Sequence, residues 1–328
     1  MIPLTTGRYD WGFVSGRISA LEARLLPKEF FATLISQTRT EDVVRMLQDT
    51  ALKDSLAPGA AWDDLGQVID RHFLEQVASI RENCPDPSVP NLFLLRGDYL
   101  NLKRAALRED GYPFYPLTLD EVTLDRVAAG DLDDLAPEMR AALERCATDT
   151  GGYDLSTLDI ALDGAYLRHM LRMARALGVP VIDSYIEREV LTKAIVVLLR
   201  ACHAKRDLAA LGELLLPLEP HTDLLNELLA TSDVTQWPDV CRGDLEQPLR
   251  DAVERPSVER APAFELAAMN SMRELAQAGS YQVAGPERVF AYLTALSVET
   301  YNLKLVASGR LSRIEPDLLR TRLRECHV

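Results

Sequence analysis

From Trp11 onward, apolar positions fall three or four residues apart: Trp11, Val14, Ile18, Leu21 and Leu25. At 100° per residue this spacing gathers them on one stripe, which predicts an amphipathic helix with a single buried face. The same period predicts helices over residues 62–82, 155–177 and 262–276. Start signals support the reading. Thr38-x-x-Glu41 and Thr118-x-x-Glu121 have the form of capping boxes, in which each side chain satisfies a backbone donor of the first turn. Pro286 and Pro316 each stand where a first helical residue is expected, a position at which the missing N–H costs nothing. Gly111, after Arg108-Glu109-Asp110, suits a left-handed helix cap. No segment between turn signals alternates polar and apolar residues, so the expected fold class is all-α.

A longer-range pattern lies over these helices. Asp98-Tyr-Leu-Asn101-Leu-Lys103 is followed by Arg108, and Glu299-Thr-Tyr-Asn302-Leu-Lys304 by Arg310. A degenerate copy, Glu189-Val-Leu-Thr192, is followed by Arg200. The copies start about 90 and 110 residues apart, too far for a short-period solenoid, and predict three related helical domains over residues 1–112, 113–208 and 209–328. An amphipathic helix precedes each copy, and the first two share an Asp-x-x-aromatic step, Asp70 to Phe73 and Asp163 to Tyr166. On a helix, Glu299, Asn302, Leu303 and Val306 share a face, as do Asp98, Asn101, Leu102 and Ala105. A carboxylate one turn before an amide is placed to accept its hydrogen bond, so the pair can be buried as a polar pin. The other reading is direct contact with a partner. Either way, Asp98, Asn101, Lys103, Arg108, Glu189, Thr192, Arg200, Glu299, Asn302, Lys304 and Arg310 are structural repeat positions.

Composition narrows the class. The 328 residues are 47% hydrophobic and 26% charged, enough apolar material for packed cores, with a net charge of −14. That balance argues against nucleic acid, whose phosphates call for a concentrated positive face. The longest apolar run, Ala194 to Leu199, is far short of the roughly 20 residues of a spanning helix. The opening residues lack the pattern of a secretory signal. Five cysteines without a Cys-x-x-Cys pair fit reduced thiols in the cytoplasm.

Chemistry-bearing motifs are sparse. There is no phosphate-binding glycine loop, no dinucleotide fingerprint, no His-Glu-x-x-His and no Gly-x-Ser-x-Gly. The acidic stretch Asp120, Glu121, Asp125, Asp131, Asp133, Asp134, Glu138 lacks calcium-loop spacing and reads as a solvated surface or a docking face for a basic partner. Cys202 and His203 are adjacent and point about 100° apart on a helix, while His169 reads as a satisfied core or surface histidine. Gly12-x-x-x-Gly16 suggests close domain packing. No catalytic, cofactor or metal residue is assigned.

The chain resembles the C subunit of archaeal and bacterial V/A-type ATPases, the family of eukaryotic vacuolar ATPase subunit d. The resemblance lies in Tyr9-Asp-Trp-Gly running into Arg17-x-x-x-x-Glu22-x-x-Leu25-Leu26, in Leu47-Gln-Asp-Thr50, in Asp98 to Lys103, and in Glu299 to Arg310 with Gly309 matching. Lys304, Val306 and Arg310 are conservative departures there, and Thr192 departs most. The resemblance implies a funnel of three helical domains with pseudo-three-fold symmetry, and a non-catalytic, peripheral role on the cytoplasmic face of a membrane. It implies binding to central-stalk subunits D and F and to the proteolipid rotor ring, in a machine that moves protons or sodium ions. No nucleic acid, small-molecule substrate or cofactor is implied. It identifies no interface residues. Two other classes stay open: an all-helical cytosolic adaptor, and an α-helical enzyme with a cavity converging on His169 or on Cys202-His203.

Overall fold

The computed structural model describes residues 10–37, 39–56, 62–107, 117–149 and 152–326. Helices account for most of them, and among the described residues the only β pairing is an isolated bridge between Ala147 and Tyr153. The all-α expectation holds. The chain divides into two compact units: residues 1–93 with 273–328, and residues 94–272.

The first unit opens with α1 (Trp11–Glu22), α2 (Lys28–Ser36), α3 (Thr40–Gln48) and α4 (Trp62–Asn83). Helix α5 (Ser88–Leu107) runs across the boundary between units. The second unit continues with α6 (Glu121–Ala128), α7 (Pro137–Cys146), α8 (Leu155–Leu177), α9 (Pro180–His203) and α10 (Leu208–Leu215). It ends with α11 (Thr222–Ala230), α12 (Trp237–Val240), α13 (Glu246–Val253) and α14 (Ser257–Ser271). The chain then returns to the first unit as α15 (Arg273–Gln277), α16 (Pro286–Leu311) and α17 (Pro316–Arg322).

In the first unit, α16 is apolar nearly all round from Val289 to Leu296, as a helix enclosed by neighbours must be. It packs against α1, α2, α4 and α17. Its last turns join a core of Phe31, Leu34, Ile35, Leu47, Leu65 and Ile69. Gly309 lets α17 approach: a Cβ there would stand 2.3 Å from the Leu319 side chain, which is itself fully buried. Of the predicted α1 stripe, Val14 and Ile18 are buried, while Trp11 and Leu21 are half-buried and Leu25 lies in the turn beyond.

In the second unit, α8 packs on α7, α9 and α10, and α9 packs on α14. Gly164 permits the α8–α10 approach, since a Cβ there would meet the Leu214 carbonyl oxygen at 2.8 Å. The backbone at that contact cannot swing away as a side-chain tip can.

Several local expectations change. Pro286 and Pro316 do open α16 and α17. The helix expected over 262–276 instead starts at Ser257, carries Pro262 in its interior and ends at Ser271, with Met272 separating it from α15. Thr118 does not cap α6. That role falls to Asp120, which accepts from the Thr123 N–H at 2.8 Å, while the Thr118 hydroxyl turns back to Asp98. Gly12 and Gly16 make no close packing: a Cβ at Gly16 would meet nothing, and one at Gly12 only the Asp10 side chain. Both lie on the exposed face of α1. Thr38 and Gly111 lie outside the described residues.

Candidate functional site

The signature residues sit on three long helices: α5, α9 and α16. All three carry the acid-x-x-polar step inside the helix, where a short polar side chain must find partners or cost stability. Asp98, Asn101, Thr192, Glu299 and Asn302 are each at most 8% exposed, while the third acid, Glu189, is half-buried.

The partners are not those that helical spacing suggests. In α16, Glu299 accepts from the Leu26 N–H at 2.6 Å, across 273 residues of sequence. Asn302 ties down the segment after α17: its amide donates to the Arg324 carbonyl at 3.0 Å, and its carbonyl accepts from the Arg324 N–H at 2.9 Å. Glu299 and Asn302 therefore reach in different directions instead of pairing within the helix. In α5, Asp98 accepts from the Thr118 and Leu119 N–H groups, each at 3.0 Å, and from the Thr118 hydroxyl. Each carboxylate thus fastens its helix to a connecting segment through backbone donors.

Among the described residues the acid of the middle helix has no such fastening to a connecting segment. Glu189 pairs with Lys193 one turn along, at 3.1 Å, and the Thr192 hydroxyl bonds the Arg188 carbonyl of its own helix at 2.9 Å. The Thr192 substitution thus removes the group that would reach outward. Position 192 stays fully buried because α9 packs on α8 and α14.

The basic positions link neighbouring helices. Lys304 bonds both carboxylate oxygens of Asp70 on α4, at 2.8 and 2.7 Å. Lys103 pairs with Asp159 on α8. Arg200 meets Glu265 on α14 at 3.5 Å, and the Arg310 guanidinium donates to the Ile35 carbonyl at the end of α2. Arg108 lies outside the described residues. Sequence reasoning singled out Asp70 for its aromatic step yet missed its pairing with Lys304. It missed Asp159 altogether, although an acid one turn before Asp163 was the available signal. Leu26, Leu119 and Arg324 gave no signal, because their part is played by backbone atoms.

Electrostatics follow from this burial. Burial raises the Glu299 carboxyl to about 7, only partly opposed by the Leu26 N–H. Asp163 is raised as well, by burial and by the nearby Asp159, against the pull of Arg96, Lys103 and Arg200. His169 is buried on α8 beside Tyr99, ring nitrogen to hydroxyl 3.4 Å, and burial lowers it to about 4 against the opposing charge of Glu138. It is a core histidine, kept neutral.

The second unit holds a cavity of about 330 Å³ lined by Cys202 and His203 together with Lys205, Arg206, Ser257 and Arg260. The enzyme alternative asked for a cavity at this place. Burial raises the Cys202 thiol, the wrong direction for a nucleophile. The His203 Nδ1 lies 3.1 Å from the Ser257 hydroxyl, and among the described residues no carboxylate bonds the imidazole from its other side. Hydroxyl and imidazole without an orienting acid make an incomplete hydrolytic set. Among the described residues no three His, Cys, Asp or Glu side chains are grouped to hold a metal ion. No described helix is long and apolar enough to cross a membrane.

No curated protein matches the chain. A match to a protein family, described as the ATP synthase (C/AC39) subunit, runs from residue 14 to residue 322. That span takes in α5, α9 and α16 whole, with all three copies of the signature and nearly every contact that anchors them. The chain belongs to the ATP synthase (C/AC39) subunit family.

Proposed function

We propose that this chain is the non-catalytic central-rotor subunit of a V/A-type rotary ATPase. In this reading it is a socket between central-stalk subunits D and F and the membrane proteolipid ring. It lies peripherally on the cytoplasmic face and serves proton or sodium transport or ATP synthesis. The family match over residues 14–322 carries the reading.

The internal organisation supports it. A torque-bearing socket needs helices that do not slide against one another, and here long helices are fastened by buried polar contacts to connecting segments. The packing also fits three repeats over residues 1–112, 113–208 and 209–328. The signature helix α5 meets α8 through Tyr99–Tyr166 and Lys103–Asp159, α9 packs on α14, and α16 packs on α4. Each signature helix thus lies against the leading helix of another pair. Interfaces of this class bury on the order of 1,000–2,000 Å².

The test is native mass spectrometry of the tagged chain drawn from host membranes in mild detergent. Proteolipid and central-stalk subunits in the same assembly are expected. Recovery alone or with soluble proteins, while the host's rotary ATPase purifies intact without the chain, would overturn the reading in favour of a cytosolic adaptor.

A further inference from the structure

The cavity at the end of α9 stands out against the rest of an acidic chain. Lys205, Arg206 and Arg260 line it beside His203. Neither Lys205 nor Arg206 forms an ion pair with the described residues. Arg260 donates from its Nε to the Arg255 carbonyl at 3.1 Å, and its two terminal nitrogens have no hydrogen-bond partner among the described residues.

The two nearby acids form no ion pair with these cations among the described residues. Asp207 caps α10 by accepting from the Ala209 and Ala210 N–H groups. Asp233 feels the charge of Arg260, yet its oxygen accepts from the Thr235 N–H and hydroxyl at 2.9 and 2.7 Å.

Helix ends sharpen the contrast. Lys205 and Arg206 follow the C-terminus of α9, where the helix dipole favours positive charge. Arg260 is different: it stands four residues into α14, next to the first turn, where positive charge is disfavoured. That turn has no side-chain cap, and its first residue, Ser257, lines the cavity with a hydroxyl. The Ser257 side chain, a misplaced arginine and two further cations line one space of about 330 Å³. A tetrahedral oxyanion would satisfy the donors and neutralise the cations together.

We propose that this cavity binds a phosphate-class oxyanion, with Arg206 and Arg260 as the principal ligands and Lys205, His203 and Ser257 around them. The site is independent of the rotor reading, because it is confined to the second unit and needs no other subunit.

The experiment titrates the purified full chain with inorganic phosphate by calorimetry, against sodium chloride of equal ionic strength. Vesicles of phosphatidylcholine with and without phosphatidic acid form a second arm. Saturable phosphate binding is expected, at least tenfold weaker in Arg206→Gln/Arg260→Gln and about twofold to threefold weaker in Ser257→Ala. Arg126→Gln, a charge change on α6, leaves it unaltered. Vesicle binding that needs phosphatidic acid and is lost in the double variant, with free phosphate inert, assigns the same chemistry to a lipid headgroup. Absence of binding in both arms overturns the proposal. So does binding that survives the double variant, or that falls equally in Arg126→Gln. Melting curves of every variant establish that each is folded, and if the double variant is not, Ser257→Ala and Lys205→Gln decide the matter by the same criterion.

Discussion

Helices α5 and α16 carry the same acid-x-x-Asn-Leu-Lys signature and use it under different electrostatic terms. Among the described residues the Asp98 carboxylate accepts from two backbone N–H groups and a hydroxyl, of Thr118 and Leu119. Glu299 is met by one, the Leu26 N–H, and burial drives its carboxyl up to about 7. A buried carboxylate is tolerated in proportion to the donors aimed at it. The longer glutamate reaches a more distant segment than aspartate does, and there it finds a single donor. One signature thus yields a fully satisfied anchor in the second unit and a proton-sensitive one in the first.

The sharpest way to break this comparison is to remove the better-satisfied acid. Asp98→Ala leaves two backbone N–H groups and a hydroxyl without their acceptor. A loss of about 3–5 kcal/mol is expected, because hydrogen bonds to a charged group are the stronger kind. Urea denaturation of the variant measures it, and a loss below about 1 kcal/mol would mean that the Thr118–Leu119 segment is not held by this carboxylate.

Protonation separates the two acids further. A folded pKa of about 7, above the ordinary 4.5, means that the folded chain holds a proton the unfolded chain has released. The stabilising effect of that proton is complete below about 4.5 and lost as pH rises through about 7, a change on the order of 3 kcal/mol. The neutral histidines work in the opposite sense. His169, lowered to about 4, contributes stability above about 6.5 that is lost as pH falls through 4. The useful quantity is therefore the difference between wild type and Glu299→Gln, in which the histidine contributions cancel. Glu299→Gln is expected to gain on the wild type as pH rises from about 5 to about 8. Parallel stability curves for the two proteins would show that Glu299 stays ionised across the range.

How much of this was legible beforehand depends on which atoms carry each contact. Residues 155–177 were read as a helix and form α8 with those limits, because a long apolar period and flanking turn residues are both written in side chains. The signature positions were found for the same reason, and five of them are buried polar groups. Their partners were not found. Leu26, Leu119 and Arg324 act through main-chain N–H and C=O groups, which every non-proline residue has, so nothing in the sequence marks them. Helical spacing offered Asn302 as the nearest partner for Glu299, but Glu299 takes the Leu26 N–H 273 residues away and Asn302 the Arg324 main chain 22 residues on. The cavity beside Cys202 and His203 was anticipated only as a condition, since its cations come from α14 as well as from the end of α9.

The amide in the signature can be tested against its degenerate copy. Asn302→Leu strands both main-chain groups of Arg324 and is expected to cost about 1–3 kcal/mol. Thr192→Val removes a hydroxyl that only back-bonds its own helix and is expected to cost less than about 1 kcal/mol. Equal losses in thermal or urea unfolding would mean that the amide's long-range contact adds nothing beyond filling space.

The smallest effect belongs to the lysines, and it decides whether cross-helix pairing is part of the anchoring. Lys304 grips both oxygens of Asp70, yet the two side chains are 44% and 38% exposed. Solvent screens such a pair, so Lys304→Met is expected to cost no more than about 1 kcal/mol, and less at high salt. Lys103→Met, against a more exposed Asp159, is expected to cost less still. A double-mutant cycle with Asp70→Asn isolates the pair. A coupling near zero would leave the polar anchoring to the buried Asp98, Glu299 and Asn302. A coupling of several kcal/mol would mean that the α4–α16 contact excludes more water than the exposure of its two partners implies, and that the charged pair is as much a fastener as the buried acids.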